Sequence, residues 1–178
     1  MSLGFTKSKE DSNLYYKVED GGLMILLLYV DDLLLTGEYK PIKECKKNFA
    51  TEFEMKDLGM MHYFLGLKVW QYPDHIFLNQ GKYALEILKI FGMIDCKAMN
   101  TLMTINSKLL NDDSSETVDA TLYRQIIGSL MYLTNTRPYI CFVVNTLTQY
   151  MMNPKHIHIV GVKHVMKYLK GILDYGLR

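Results

Sequence analysis

Residues 23–37 have the sequence Leu-Met-Ile-Leu-Leu-Leu-Tyr-Val-Asp-Asp-Leu-Leu-Leu-Thr-Gly, in which two adjacent carboxylates interrupt an apolar run. A continuous apolar run is typical of a strand that is buried on both faces. Burying an unpaired carboxylate is costly, so a straight central strand through both aspartates is unfavourable. The run therefore predicts a hairpin, with strands over residues 23–29 and 33–36 and a tight turn at residues 30–32.

The turn of this hairpin carries the candidate chemistry, because Asp31 and Asp32 can both project from its tip. On a straight strand, neighbouring side chains point to opposite faces and seldom converge. Carboxylate oxygens suit Mg²⁺, which keeps several waters and takes one or two protein carboxylates together with substrate phosphates. A two-metal site clamps the attacking and leaving oxygens of phosphoryl transfer. A solvent-exposed turn without a ligand is the alternative, since aspartate is a common turn residue.

The rest of the chain predicts one more hairpin and several helices. After the first hairpin, the spacing of apolar residues, glycines and prolines predicts a helix over 40–53, a strand over 63–70 broken at Gly66, a strand over 76–78 and a helix over 82–91. Residues 95–119 show no periodicity and form the best linker candidate, and helices follow over 122–135, 138–152 and 158–173. Strands that precede helices in this way predict an α+β fold with two lobes.

Composition narrows the class of protein. The chain has 178 residues, a hydrophobic fraction of 49%, a charged fraction of 22% and a net charge of +1. These values are typical of a globular domain and exclude a collagen-like or disordered chain. The small net charge excludes a strongly basic nucleic-acid-binding tail. It does not exclude a basic face confined to one part of the surface.

Cysteine usage and hydropathy indicate the compartment. The three cysteines are widely spaced and odd in number, which argues against a disulfide framework and a structural zinc site and fits a reducing compartment. No apolar run approaches the roughly 20 residues of a membrane span, and the N-terminus lacks the apolar core of a signal peptide. We therefore expect a soluble intracellular protein without membrane contact, in a compartment that the sequence does not specify.

The C-terminal segment carries a group of lysines and a group of histidines, and each group has both a functional and a structural interpretation. Lys163, Lys167 and Lys170 fall on one side of a predicted helix, where they either contact phosphates or form a solvated face. His156, His158 and His164 cluster near the start of that helix. A metal site there would need a fourth ligand and supporting partners that the sequence does not show, so a polar helix start is favoured.

Residues 28–32, Leu-Tyr-Val-Asp-Asp, together with the following Leu-Leu-Leu-Thr-Gly, resemble the catalytic hairpin of reverse transcriptases. The flanking segments are similar to those of copia-type retrotransposons. The similar segments are collinear and cover nearly the whole chain, at residues 53–59, 63–67, 79–83, 123–133, 136–138, 168–171 and 174–177.

The resemblance implies an RNA-directed DNA polymerase fragment of a retrotransposon Pol polyprotein, which uses Mg²⁺ for nucleotidyl transfer on an RNA template and a DNA primer. It implies a partial palm over residues 1–79, with an antiparallel sheet, the catalytic hairpin and a primer-grip-like hairpin. A first thumb-like helix over 80–94, a linker over 95–119 and a helical thumb or connection region over 120–178 would follow.

The family's functional residues map onto this chain by motif. Asp31 and Asp32 correspond to catalytic, metal-binding carboxylates of the palm, with Asp31 the more direct metal ligand. Contacts to primer or template are implied for Tyr29 and Val30 beside the primer terminus, for Tyr63, Phe64, Leu65 and Gly66 in the primer-grip-like hairpin, and for Lys163, Lys167 and Lys170.

Departures from the family pattern shape the expected activity. The family carries a third catalytic aspartate upstream, in an Asp-x-x-x-Ala-Phe segment next to the fingers, and this sequence has no such segment. We therefore expect weak metal binding and no catalysis by the chain alone, unless the fingers and the rest of the palm come from another part of a polyprotein. The alternative is a non-catalytic retroelement remnant that at most binds an RNA–DNA hybrid. In addition, Tyr139 follows Pro138 where the family usually has aspartate.

The same departures predict a folding problem. Without upstream palm strands, the strand over residues 23–28 would keep an unpaired apolar edge. Such edges promote pairing between chains. We therefore expect an aggregation-prone or partly molten protein.

Overall fold

The computed structural model of the chain describes residues 3–19, 21–102 and 116–178. It divides into two compact units, Met1–Met60 and Met61–Arg178. The described residues form two antiparallel sheets and five α-helices, which confirms the predicted α+β class. The segment 1–79 that the sequence assigns to one partial palm spans both units, and most of the predicted linker lies outside the described residues.

The first unit contains a four-stranded antiparallel sheet. Its strands follow chain order, β1 (Thr6–Lys7), β2 (Leu14–Glu19), β3 (Gly22–Tyr29) and β4 (Asp32–Thr36). The predicted hairpin is β3–β4, in which Tyr29 pairs with Asp32. The expected unpaired edge of residues 23–28 is wrong, because β2 pairs with β3 from Leu14 opposite Leu27 to Glu19 opposite Gly22.

A helix covers one face of this sheet. Helix α1 (Tyr39–Glu52) confirms the helix predicted over 40–53. Met24 and Leu26 of β3 are buried, and so is Cys45 of α1. The ring of Phe49 on α1 lies 6.4 Å from that of Phe5. Residues that alternate with Met24 and Leu26 must point to the opposite face.

That opposite face, which we call the outer face, remains apolar and solvent-exposed. Val18 of β2 is 66% exposed, and its cross-strand partner Leu23 is 52% exposed. Tyr16 is also exposed, and its partner Ile25 is half-buried. The outer face therefore consists of apolar cross-strand pairs that the sheet exposes to solvent.

The second unit contains a second antiparallel sheet with strands in chain order. The strands are β5 (Tyr63–Phe64), β6 (Leu67–Gln71), β7 (Ile76–Asn79) and β8 (Gly176–Leu177). The sequence predicts the first three. It does not predict β8, because that strand has two residues and its partner β7 lies far upstream in the chain.

Five helical segments build the core of the second unit. They are α2 (Gly81–Ile90), α3 (Ala120–Leu133), a 3₁₀ turn (Pro138–Ile140), α4 (Cys141–Thr148) and α5 (His156–Gly171). The predicted helices match these elements, except that the segment 138–152 begins as the 3₁₀ turn and ends earlier. Apolar residues of all four α-helices form one buried cluster. No helix in the described ranges is both long and apolar enough to cross a membrane.

Candidate functional site

The tip of the β3–β4 hairpin places the two aspartates in solvent. Because Tyr29 pairs with Asp32, only Val30 and Asp31 form the loop. Val30 has a φ of 53°, and a positive φ at the first loop position alone is the pattern of a type II′ turn. Val30 is 88% exposed, and Asp31 and Asp32 are exposed as well. The tip therefore presents both carboxylates on a short, well-defined loop.

A cavity of about 200 Å³ lies beside this tip within the first unit. Its walls come from the hairpin and from the end of α1 with the residues that follow, namely Leu28, Val30, Asp31, Asp32, Leu33, Phe49, Phe53 and Met55. Most of these side chains are apolar. The carboxylates consequently stand at the border between solvent and an apolar recess.

The segment after α1 is held against that helix by Asp57. Its carboxylate oxygens lie 2.9 and 3.0 Å from the Lys46 ammonium, and the Gly59 amide donates to it at 2.9 Å. The Gly59 amide and the Lys46 ammonium together hold the pKa of the Asp57 carboxyl below its usual range. This turn fixes the path of the chain just beyond Met55 at the cavity wall.

The two carboxylates at the tip are suitable ligands for Mg²⁺, but they fill only part of its coordination sphere. Two exposed carboxylates are as many protein ligands as Mg²⁺ usually takes, with waters and phosphates in its other positions. Over residues 3–19, 21–102 and 116–178, no group of three or more His, Cys, Asp or Glu residues could hold a metal ion. Asp31 and Asp32 would therefore depend on substrate phosphates, or on ligands from elsewhere, to complete a metal site.

The C-terminal histidines contact protein groups near α5. Nδ1 of buried His158 accepts a hydrogen bond from the Lys155 amide at 2.9 Å, and its ring stacks on Tyr150 with centroids 3.8 Å apart. Nε2 of His164 lies 3.0 Å from the Thr101 carbonyl oxygen. These contacts give His158 a role at the start of the helix, the role that the sequence favours over metal binding.

The second hairpin, β5–β6, contains the residues predicted to contact the primer. Phe64 pairs with Leu67, so Leu65 and Gly66 form a two-residue loop with φ of 47° and 76°. Two positive φ values are the pattern of a type I′ turn. The Tyr132 hydroxyl donates a hydrogen bond to the Leu65 carbonyl. Tyr63 and Leu65 expose 47% and 44% of their surface.

The three predicted lysines of α5 differ in their surroundings. Lys163 is exposed and Lys167 is partly exposed. In contrast, the Lys170 ammonium donates to the carbonyl oxygens of Ile94 and Cys96 at 2.5 and 2.7 Å. Lys170 therefore ties residues 94–96 to α5, and only Lys163 and Lys167 remain candidates for phosphate contact.

Sequence reasoning missed a buried polar group in the second unit. Arg137 is 0% exposed and donates to the Leu173 carbonyl at 3.2 Å. Thr136 donates to the Gln80 side chain at 2.7 Å, and the Asn79 side chain donates to the Leu173 carbonyl at 3.0 Å. These residues lie in the segments 79–83 and 136–138, which are similar to segments of copia-type retrotransposons. That similarity is the signal by which the sequence could have pointed to them.

Comparison with known proteins supplies the family. A family model described as "Reverse transcriptase (RNA-dependent DNA polymerase)" matches residues 1–105, more than half of the chain. The chain belongs to the reverse transcriptase family. The resemblance predicted from the hairpin and its flanking motifs is thereby confirmed.

Relatives of this chain include retrotransposon Pol polyproteins. It is 34% identical to the retrovirus-related Pol polyprotein from transposon RE1 of Arabidopsis thaliana, over 99% of the chain and 12% of that polyprotein. It is 33% identical to the corresponding polyprotein from transposon TNT 1-94 of Nicotiana tabacum, over 96% of the chain and 14% of the polyprotein. These matches confirm the prediction of a copia-type retrotransposon reverse transcriptase fragment.

A further relative is an uncharacterized mitochondrial protein of Arabidopsis thaliana. It is 41% identical to this chain, over 86% of the chain and 64% of that protein. The chain thus spans about two thirds of this relative and a small part of each Pol polyprotein. No solved structure matches the chain significantly.

Proposed function

We propose that the chain acts as a palm and thumb segment in RNA-templated DNA synthesis, with Asp31 and Asp32 as its metal-binding carboxylates. The observation that carries this proposal is the β3–β4 tip, where a two-residue loop exposes both side chains. The family match over residues 1–105 contains this hairpin. In this assignment β1–β4 and α1 belong to the palm, and the helices of the second unit belong to the thumb and connection.

Each residue at the tip would have a defined task. Bound Mg²⁺ would neutralise phosphate charge and activate the primer 3′-hydroxyl for attack on an incoming nucleotide. Asp31 and Asp32 would hold the ion through carboxylate oxygens, with Asp31 as the more direct ligand. Val30 and Tyr29 would lie against the primer terminus. Hence catalysis would need one more carboxylate, from a segment that completes the palm.

The second unit would hold the nucleic acid. Tyr63, Phe64, Leu65 and Gly66 at the β5–β6 hairpin would contact the primer strand. Lys163 and Lys167 on α5 would contact phosphates, which requires only positioned cations and no base recognition. The RNA template and the DNA primer are therefore the proposed partners, together with the remainder of a Pol polyprotein.

Metal binding at the tip can be tested without catalysis. Mn²⁺ would serve as the probe, measured by electron paramagnetic resonance with the purified chain, an RNA–DNA primer–template and a deoxynucleotide. We expect bound Mn²⁺ with the wild-type chain and its loss in the Asp31→Asn, Asp32→Asn variant. The matched control is Glu44→Gln with Glu54→Gln, which removes two exposed charges of the same unit and should leave Mn²⁺ binding unchanged.

Primer extension on the same complex separates the two candidate functions. Extension with Mg²⁺ that disappears in the double aspartate variant would establish a polymerase. Hybrid binding without extension would support the alternative of a non-catalytic binding remnant. Equal Mn²⁺ binding by the wild-type chain and the double aspartate variant would reject the metal role of the tip.

A further inference from the structure

We propose that Tyr132 is a positioning residue that fixes the tip of the β5–β6 hairpin in the conformation that meets the primer strand. The inference rests on the primer-contacting role proposed for that hairpin. It concerns a residue of α3, far from the hairpin along the chain. The Tyr132 hydroxyl donates its hydrogen bond to the Leu65 carbonyl, across 67 residues of sequence.

The hairpin tip has little local support for its conformation. Strand β5 has two residues, two residue pairs join it to β6, and one further backbone hydrogen bond, from the Val69 amide to the His62 carbonyl, joins the arms beyond them. The Lys82 ammonium also lies 5.5 Å from the centroid of the Tyr63 ring, but neither contact reaches the two loop residues. A hairpin this short is at best marginally stable by itself. Leu65 also adopts a left-handed conformation with φ of 47°, which is unfavourable for a residue with a side chain. An external contact must therefore offset this cost, and Tyr132 makes such a contact at the strained residue.

Tyr132 and the tip also fit closely in space. A Cβ added at Gly66 would lie 3.5 Å from the Tyr132 hydroxyl oxygen and 3.7 Å from Cε1 of its ring. These separations are ordinary van der Waals contacts. The ring of Tyr132 therefore packs beside the loop while its hydroxyl binds the loop backbone.

The helical core holds Tyr132 itself in place. Its ring meets the ring of Tyr83 on α2 edge to face, with centroids 5.0 Å apart. Its carbonyl oxygen accepts from the Gln80 side chain at 3.4 Å. The adjacent α3 residues Leu130 and Leu133 are fully buried. Tyr132 thus connects the tip to two packed helices of the same unit.

The contact orients exposed groups and does not bury them. Tyr63 and Leu65 keep 47% and 44% of their surface exposed although the tip is anchored. The hydrogen bond between Tyr132 and Leu65 therefore contributes little to the burial of apolar surface at the tip. Its main effect is the direction in which the tip side chains face, which matters for a strand-binding hairpin.

The test compares two tyrosine-to-phenylalanine variants of the full chain. Tyr132→Phe removes the donor and keeps the ring that packs on Tyr83. Tyr83→Phe is the matched control, since the Tyr83 hydroxyl makes no hydrogen bond to the residues that the structure describes. Binding of a fluorescent RNA–DNA hybrid is measured by anisotropy, and hydrogen exchange of the amides at residues 65–67 reports on the tip.

We expect Tyr132→Phe to weaken hybrid binding about three- to tenfold, the effect of one hydrogen bond. Amide exchange at 65–67 should become faster, with the melting temperature nearly unchanged. Tyr83→Phe should match the wild type in binding and exchange. A para-aminophenylalanine at position 132, which keeps a donor at the same place on the ring, should restore binding.

Two results separate this inference from the function on which it rests. If the wild-type chain does not bind the hybrid at all, the primer-contacting role is rejected, and exchange at 65–67 alone decides whether Tyr132 holds the tip. If the wild type binds and Tyr132→Phe binds equally well, the positioning role is rejected while the proposed function stands. An equal loss in Tyr83→Phe would likewise reject a specific role for Tyr132.

Discussion

Val30 and Leu65 share a strained backbone conformation at the tips of their hairpins. Their φ values are 53° and 47°, in a region where glycine and asparagine are the favoured residues. Such conformations cost about 1–3 kcal/mol each and cluster where a chain binds or reacts. The valine is especially unusual because it is β-branched. Strain at both proposed contact points with the primer is consistent with loops selected for what they present to a partner.

Arg137 is also unusual, since its buried guanidinium lacks an acidic partner among the described residues. Its Nε is buried and unpaired in the described part of the chain. Burial lowers the pKa of Arg137, and contact with the Tyr139 side chain opposes this effect. A carboxylate at position 139 would therefore lie near this guanidinium and supply the charge that it lacks among the described residues.

We predict that Tyr139→Asp is more stable than Tyr139→Asn. Both variants lose the edge contact between the rings of Tyr139 and Tyr168. Only aspartate supplies a charge to Arg137, and a hydrogen bond to a charged group contributes about 1.5–3 kcal/mol. Urea unfolding at neutral pH measures the difference in free energy of unfolding. Equal stability of the two variants would show that Arg137 does not need an acid at this position.

At the scale of elements, the start of α3 depends on one side chain. The Asp119 carboxylate accepts a hydrogen bond from the Thr121 amide at 2.7 Å, which satisfies a donor that the helix leaves unpaired. Substitution of such a cap by alanine costs about 1 kcal/mol. We predict this loss for Asp119→Ala in thermal unfolding, and little loss for Asp119→Asn. A similar loss for both variants would contradict the capping role.

The elements that the sequence predicts are those with local signals. Helix α1 follows from its apolar spacing, and the β3–β4 hairpin follows from two carboxylates within an apolar run. Strand β2 escapes prediction although Tyr16 to Glu19 alternate between apolar and polar residues, because the segment before residue 22 is polar with mixed charges, and β8 escapes because it has two residues. Their strand character depends on pairing with β3 and β7, which becomes visible only in the folded chain.

The residues of the candidate site are likewise predictable only where the signal is local in sequence. The positions of Asp31 and Asp32 at a turn could be predicted, because the cost of burying them determines the local fold. The bond between Tyr132 and Leu65 could not, since it joins residues 67 apart in sequence. For the same reason, helical spacing places Lys170 with Lys163 and does not reveal the carbonyl groups that bind its ammonium.

For the whole molecule, the expectation of aggregation now depends on the outer face, the exposed apolar face of the β1–β4 sheet, and no longer on an unpaired strand edge. The β3 edge is paired, so the expected association stays a prediction that now depends on an exposed apolar sheet face. Val18 and Leu23 pair across strands on that face, with 66% and 52% of their surface exposed. Exposed apolar surface of this kind favours association between chains.

We predict that Val18→Glu with Leu23→Lys reduces concentration-dependent association. The two charges would face each other across the strands and keep the pair compatible with the sheet. Light scattering over a range of protein concentrations measures the effect. The control Ile90→Glu with Met152→Lys adds the same charges at exposed sites of the second unit and should leave association unchanged. Equal association of both variants would assign the effect to added surface charges in general and not to the outer face.

The pairing of β8 with β7 has a consequence for the order in which the chain can fold during synthesis. The side chain of Asn79, the last residue of β7, donates to the carbonyl oxygen of Tyr175, which follows it by 96 residues. The first unit has its strands consecutive in the chain and can fold as soon as it leaves the ribosome. The sheet of the second unit is complete only after β8 has been made, so a ribosome stalled between residues 80 and 176 would carry one finished unit and one open sheet edge.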